Sequence, residues 1–282
     1  MADIKNIRKS IRQIGKLLFD RELVDASGGN ISVRDGDKIY VSPRRTGHDN
    51  QWEIDEDSII VTDLCSVPVI GEADKVSREA STHYYIFQNF PDIGAVIHAH
   101  PIHIMAFGAA HMDLPAISEG TRAILGNEPI SNVAEVLPGS KEQAAAVVEN
   151  FNNRRRKDPT TPLICGLPYH GTFAAGGNLN DAYLYTEVAN NCAKILINRQ
   201  IMFGNDPKAD FSVHKQFTKE DFYTIDQTKE ICDTGFVYKD AFGNETVYKG
   251  MNDSKEKSNS NKSQSVLINK ITAEVLKKLN DK

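Results

Sequence analysis

The first apolar pattern in the chain has helical spacing. Ile4, Ile7, Ile11, Ile14, Leu17 and Leu18 recur at three- and four-residue steps and predict an amphipathic helix over residues 4–23. Glycine punctuation follows at Ser27-Gly28-Gly29-Asn30, after which Ile31-Ser32-Val33-Arg34 alternates as a strand does. Asp35-Gly36-Asp37 signals a hairpin turn, with residues 38–41 as the returning strand. Beyond it the pattern predicts a strand over 58–63 and a helix over 77–89, capped by Ser77 and stopped before Pro91. An apolar, β-branched strand over 93–100 then ends at Pro101. A second block holds a helix over 140–152 and a short strand over 161–167, which residues 172–175 continue before a turn at Gly176-Gly177. A helix over 180–199 follows, with Leu184, Val188, Cys192, Ile195 and Leu196 on its apolar stripe. Strands and helices interleave without the strict alternation of a doubly wound parallel sheet. The expected class is therefore α/β, with a central, mainly antiparallel sheet flanked by helices.

The texture changes after about residue 208. Residues 211–250 carry scattered aromatics and predict a helix plus a hairpin turning at Gly243-Asn244. Residues 251–265 form a polar linker without an apolar side chain from Asn252 onward, a composition that predicts disorder. In residues 266–282, Leu267, Ile268, Ile271, Val275, Leu276 and Leu279 share one helical face. So short a helix cannot bury its stripe alone and needs a partner surface, either its own oligomer or another protein. The expected organisation is a domain over 1–209, an extension over 210–250, the linker, and a docking helix.

Charge and cysteine content narrow the classes. Net charge is −5; residues 251–282 carry +3, which leaves −8 on the rest. No basic footprint marks nucleic-acid binding, and the one basic run, Arg154-Arg155-Arg156-Lys157, reads as a solvated loop. No apolar run of about 18 residues predicts a membrane span, and residues 1–20 lack the pattern of a secretory signal. Cys65, Cys165, Cys192 and Cys232 are scattered without a Cys-x-x-Cys pair and read as reduced thiols of a cytoplasmic protein.

The sharpest chemical feature is His98-Ala99-His100 at the end of an apolar strand. Two residues apart on a strand, both imidazoles point to one side of the sheet, as two ligands of one Zn²⁺ at about 2.0–2.1 Å would. One packed and one surface histidine is the plain alternative. Glu79, in the preceding helix, and His170, after another strand, are candidates to join the pair. Three histidines with an open position describe a catalytic metal site. A Glu79/His83 pair is a rival arrangement, although His83 suits a packing role better. His48, His103, His111 and His214 have no such company. Ser27-Gly28-Gly29-Asn30 can cradle an anion or simply turn the chain, and Thr46, Gly47 and Ser77 offer further anion contacts.

The order and spacing of four motifs resemble the class II aldolase/adducin family over residues 5–205. They are Ser27-Gly28-Gly29-Asn30-Ile31-Ser32-Val33-Arg34, Ser77-Arg78-Glu79-Ala80-Ser81-Thr82-His83, Ala95-Val96-Ile97-His98-Ala99-His100, and His170-Gly171 ahead of a long helix. The resemblance implies a three-layer α/β/α fold around an antiparallel sheet and a homotetramer. It implies that His98, His100 and His170 bind one Zn²⁺ per subunit, Mn²⁺, Co²⁺ or Fe²⁺ being alternatives, and that Glu79 is the catalytic acid/base. Burial is expected to raise the Glu79 pKa toward a useful range. Ser27, Gly28, Asn30, Thr46, Gly47, Ser77 and Arg78 fall near the substrate-phosphate positions.

The implied reaction is aldol cleavage of a ketose 1-phosphate, of the L-fuculose or L-rhamnulose type, to dihydroxyacetone phosphate and lactaldehyde. Glutamate at position 79 favours this over epimerisation. An epimerase, a dehydratase or a decarboxylase of a phosphorylated sugar, or a non-catalytic scaffold, are the other readings. Three departures stand out: Arg78 where the aldolases have serine, the longer Pro43-Arg44-Arg45-Thr46-Gly47 turn, and Glu119 near a catalytic tyrosine's place, for which Tyr223 or Tyr238 is a substitute. The tail resembles an encapsulation peptide, which implies docking of residues 266–282 on a bacterial microcompartment shell protein.

Overall fold

The computed structural model describes residues 4–204, 235–239 and 245–249. Contacts divide the chain between Thr218 and Lys219 into two units. The first unit is built on a seven-stranded sheet. Its strands are β1 (Asn30–Asp35), β2 (Lys38–Val41), β3 (Ile60–Asp63), β4 (Pro68–Ile70), β5 (Ala95–Ala99), β6 (Leu163–Leu167) and β7 (Gly171–Gly176). They lie in the order β4-β3-β2-β1-β5-β7-β6, and every neighbouring pair is antiparallel. Its helices are α1 (Ile4–Asp20), α2 (Thr46–Asn50), α3 (Ala80–Asn89), α4 (Ile102–Ala109), α5 (Glu119–Leu125), α6 (Lys141–Lys157) and α7 (Leu179–Phe203).

Strand alternation sorts the core into two layers. Ile39, Val41, Val96 and Phe173 face α3 and α6, where Phe87 and Phe151 meet them. Ile31, Tyr40, Val61 and Ile97 face the other way, against Ile7, Ile11, Ile14 and Leu18 of α1. On that second face Ile97 pairs across the ladder with Ala174, and the layer continues through α4, α5 and α7. This is the α/β/α sandwich with an antiparallel sheet that the sequence predicts. Strand β5 is buried on both faces, so its sequence reads as a continuous apolar run without alternation.

Four local expectations are corrected. The helix after Ser77 begins only at Ala80, with Glu79 at its N-cap; the Ser77 hydroxyl instead accepts from Glu79 N–H and the Asn30 amide, each at 3.4 Å. Residues 172–175 do not continue β6. The chain turns at 168–170, with Tyr169 at φ 56°, and returns as β7 paired to β6. The buried face of α7 is made of small residues, Ala182, Thr186, Ala189, Cys192 and Ala193 with Leu196, which let the helix approach β5 and β7 closely; Ile195 is 46% exposed.

The basic run, finally, is no solvated loop but the last turn of α6, where cations oppose the helix dipole. Arg154 is buried there and donates to the carbonyls of Leu125, Pro129 and Pro162 at 3.3, 2.8 and 3.2 Å. Arg155 pairs with Asp92 at 2.8 Å.

In the second unit, β8 (Gly235–Lys239) and β9 (Glu245–Lys249) form an antiparallel hairpin with Phe236 opposite Tyr248. The predicted helix before it, the turn residues, the 251–265 linker, the 266–282 helix, Tyr223, His214 and Cys232 lie outside the described residues. Of the other cysteines, Cys65 is exposed, and Cys165 and Cys192 are buried; all three are free thiols. No described helix is long and apolar enough to cross a membrane.

Candidate metal centre and anion pocket

His98 and His100 leave the end of β5 on the same side of the sheet, as the strand period requires. Antiparallel pairing of β5 with β7 sets Ala99 opposite Thr172, and the turn before β7 then brings His170 beside them. The ring centroids of His98, His100 and His170 are 4.7–5.3 Å apart, and one donor atom from each lies within 4.8 Å of the others. Glu79, just before α3, places Oε2 2.7 Å from His98 Nε2 and Oε1 3.2 Å from His170 Nε2.

The hydrogen bonds fix which ring atoms are available. His98 Nδ1 is 2.9 Å from the Thr172 carbonyl, which can only accept, so Nδ1 donates there and Nε2 is the ring atom turned into the cluster. His98 Nε2 faces His100 Nε2 at 3.1 Å and the Glu79 carboxylate at 2.7 Å. Three imidazoles and one carboxylate converging in a largely buried place form a donor set that suits a divalent transition metal. His100 suits a neutral ligand: burial, then the neighbouring His98 and His170, push its pKa down to about 4. For Glu79 the expected direction is overturned. Burial raises its pKa, but hydrogen bonds from His170 and His98 outweigh that and hold it well below the usual carboxylate range.

His83 is no rival ligand. It is fully buried, with Nδ1 2.6 Å from Ser32 Oγ and its ring edge on Phe173, which in turn stacks on His98. Burial pushes its pKa down to about 3.

The cluster opens into a cavity of about 430 Å³ lined by Ser27, Gly28, Asn30, Thr46 and Gly47, by Ser77, Arg78 and Glu79, and by His100 and His170. All the substrate-side positions expected from the sequence thus share one cavity with the cluster. Gly28 is required by space, since a Cβ there would lie 2.2 Å from His100 Cε1. The next residue, Gly29, has φ +101°.

One expectation changes in detail. The loop amides do not face an empty cradle: Asp25 Oδ1 accepts from Ser27 N–H at 2.7 Å, from the Ser27 hydroxyl at 2.7 Å and from Gly28 N–H at 3.2 Å. Those bonds, with help from His100, hold the Asp25 carboxyl below its ordinary pKa despite partial burial. Asp25 went unread in the sequence, although Asp followed two residues on by Ser is the signature of such a turn. Arg44, Arg45 and His48 also line the cavity. The Asn30 side-chain oxygen is buried without a partner among the described residues. Glu119, at the start of α5, is exposed, and its neighbour Ser118 caps that helix.

Residues 9–197 match the class II aldolase and adducin N-terminal domain family. The chain belongs to this family. An L-fuculose phosphate aldolase from Methanococcus maripaludis is 32% identical over 183 residues, which cover 65% of this chain and 92% of that relative. An L-ribulose-5-phosphate 4-epimerase from Salmonella paratyphi A is 27% identical over 208 residues, 70% of this chain and 87% of the relative. Among solved structures, an L-fuculose 1-phosphate aldolase superposes with a TM-score of 0.61 at 27% identity, covering 70% of this chain and 87% of its own. The class II aldolase fold and the histidine cluster therefore lie in the segment that this chain shares with its relatives.

Proposed function

We propose that this class II aldolase family member is a metal-dependent lyase that cleaves a ketose 1-phosphate, of the L-fuculose or L-rhamnulose type, into dihydroxyacetone phosphate and lactaldehyde. The observation that carries the reading is the convergence of His98, His100, His170 and Glu79 at one end of a cavity whose walls include Asn30, Thr46, Ser77 and Arg78. In this reading the three imidazoles hold one Zn²⁺ per subunit, and the same donors suit Mn²⁺, Co²⁺ or Fe²⁺. When bound, the ion supplies Lewis-acid stabilisation of enediolate charge. The remaining work belongs to the chain. The Thr172 carbonyl keeps the His98 ring in the tautomer that presents Nε2. Glu79 takes the proton from the hydroxyl whose carbon becomes the aldehyde. The adjacent carbon–carbon bond breaks, its electron pair moves into the carbonyl of the phosphorylated half, and a proton returns to that carbon. Ser27, Gly28, Asn30, Thr46, Gly47, Ser77 and Arg78 hold the phosphate end.

The test is coupled detection of dihydroxyacetone phosphate from L-fuculose 1-phosphate and L-rhamnulose 1-phosphate, with and without chelator. Chelator-sensitive release is expected. Absence of release from both sugars, together with epimerisation of L-ribulose 5-phosphate, overturns the aldolase reading in favour of the activity named for the Salmonella relative. The proposal also makes the enzyme a cytoplasmic homotetramer whose residues 266–282 dock on a microcompartment shell protein. Light scattering checks the tetramer, and a chain ended at residue 250 should lose co-purification with shells.

A further inference from the structure

Three arginines line the cavity beside the histidine cluster, and among the described residues an ion pair meets the charge of only one of them. Arg45 is committed: its guanidinium lies 3.3 Å from Asp49 and 3.1 Å from His48 Nδ1. Arg44 and Arg78 have neither an ion-pair nor a side-chain hydrogen-bond partner among the described residues. Glu79, the carboxylate among the lining residues, is turned to His98 and His170 instead. Some of the neutral donors are engaged within the protein, while the Ser77 hydroxyl, which accepts from Glu79 N–H and Asn30, keeps its proton to offer. The Ser27 and Gly28 amides serve Asp25, and the Thr46 hydroxyl donates to the Pro43 carbonyl at 2.5 Å. Two unneutralised guanidinium groups therefore remain to meet a ligand's charge, and a phosphate monoester carries about −1.5 to −2 near neutral pH.

We propose that Arg44 and Arg78 form a two-arginine clamp that makes this cavity select a doubly charged phosphate monoester over a singly charged anion of the same shape. The proposal rests on reading the cavity as the site of the substrate's phosphate, and it adds residues and a criterion to that reading. Recognition by hydroxyls and amides alone counts lone pairs and treats phosphate and sulfate esters nearly alike, whereas recognition by unpaired arginines counts charge. Both arginines are exposed at the cavity rim, so water-like screening applies. About 1 kcal/mol per unit charge at 4 Å then corresponds to about a fivefold preference per arginine for the extra charge, and about thirtyfold for two.

Calorimetric titration of the full-length protein at pH 8 and low salt, with glycerol 3-phosphate and glycerol 3-sulfate as matched probes, tests this. Both probes carry the same hydroxyls, so any contact of those with a metal cancels in the ratio. The wild-type chain should prefer the phosphate by about thirtyfold, Arg44→Ser and Arg78→Ser should each reduce this to about fivefold, and the double variant should show no preference. Arg78→Lys, which keeps the charge, should retain it. A wild-type preference below about threefold, or one that survives both serine substitutions, overturns the clamp while leaving the phosphate site standing. Failure of glycerol 3-phosphate to bind overturns the phosphate-site reading itself, and the clamp with it.

Discussion

Alanine at position 28 is the smallest change that tests how the metal centre is held. Its Cβ would lie 2.2 Å from His100 Cε1, 3.0 Å from Nε2 and 3.1 Å from Nδ1. Ordinary carbon contacts need about 3.5–4.0 Å, so the imidazole must retreat by about 1.3 Å or the loop must lift by as much. His100 is buried and its Nε2 sits 3.1 Å from His98 Nε2, so any retreat moves a donor atom out of the cluster. Metal–ligand distances tolerate only about 0.2 Å. Loss of one ligand's alignment should therefore cost at least the 10- to 100-fold in affinity, roughly 1.4–2.8 kcal/mol, that weaker outer-shell perturbations cause. Equilibrium dialysis against Zn²⁺, with thermal unfolding run in parallel, measures both affinity and stability. Gly120→Ala is the matched control: nothing lies within 4 Å of a Cβ there, and a helical position should gain up to about 1 kcal/mol. A Gly28→Ala protein that binds Zn²⁺ within about threefold of the wild type refutes the claim that close approach of this loop positions His100.

Other expectations follow from the same contacts. Glu79→Gln should retain metal, measured by elemental analysis, while turnover falls by about 10²- to 10⁴-fold; unchanged turnover removes Glu79 from proton transfer. Arg154→Ala should cost about 3 kcal/mol in urea unfolding because three carbonyls lose a buried donor, whereas exposed Arg156→Ala should stay within about 0.5 kcal/mol. The buried His83 takes up a proton at about 3 when folded and near 6.5 when unfolded, so its contribution is complete above about pH 6.5 and is lost as pH falls toward about 3. Chelator-treated protein should lose roughly 2 kcal/mol on this account between pH 7 and pH 5, with His100 acting in the same direction, and a flat profile over that window contradicts the assignment.

What the sequence disclosed depended on the range of the interaction. His98-Ala99-His100 was legible because a strand's period of two puts alternate side chains on one face, whatever the rest of the fold does. The β1–β2 hairpin was legible for a similar local reason, its Asp35-Gly36-Asp37 turn. His170 reached the site by resemblance and by its place after an apolar run; its actual route, β7 returning antiparallel to β5, depends on a strand order that no local pattern states. The short helices α2, α4 and α5 went unread because five to eight residues are too few to display a period. The stripe expected on α7 holds at Cys192 and Leu196 and fails at Ile195, because side-chain size is no guide on a helix that buries its alanines. Arg154 was misread as solvated because a run of charges hides the one member whose partners are distant carbonyls. The direction of the Glu79 pKa was missed because desolvation is suggested by composition, whereas two imidazole donors on one carboxylate are visible only in space.

The topology of the centre also has a kinetic consequence. Its donors come from the end of β5, the turn before β7 and the segment before α3, and these meet only when the β1-β5-β7 part of the ladder is complete. A chain that has formed the β1–β2 hairpin but not the β5–β7 pairing has no site to offer. An ion held by these residues therefore favours the finished sheet over every partly assembled chain, by RT ln(1 + [L]/Kd). It should slow departure from the native state while leaving the early steps of assembly at their metal-free pace. With the proposed ion in place the histidine cluster would act as a latch closed last, and its release by chelation should be felt first as faster unfolding.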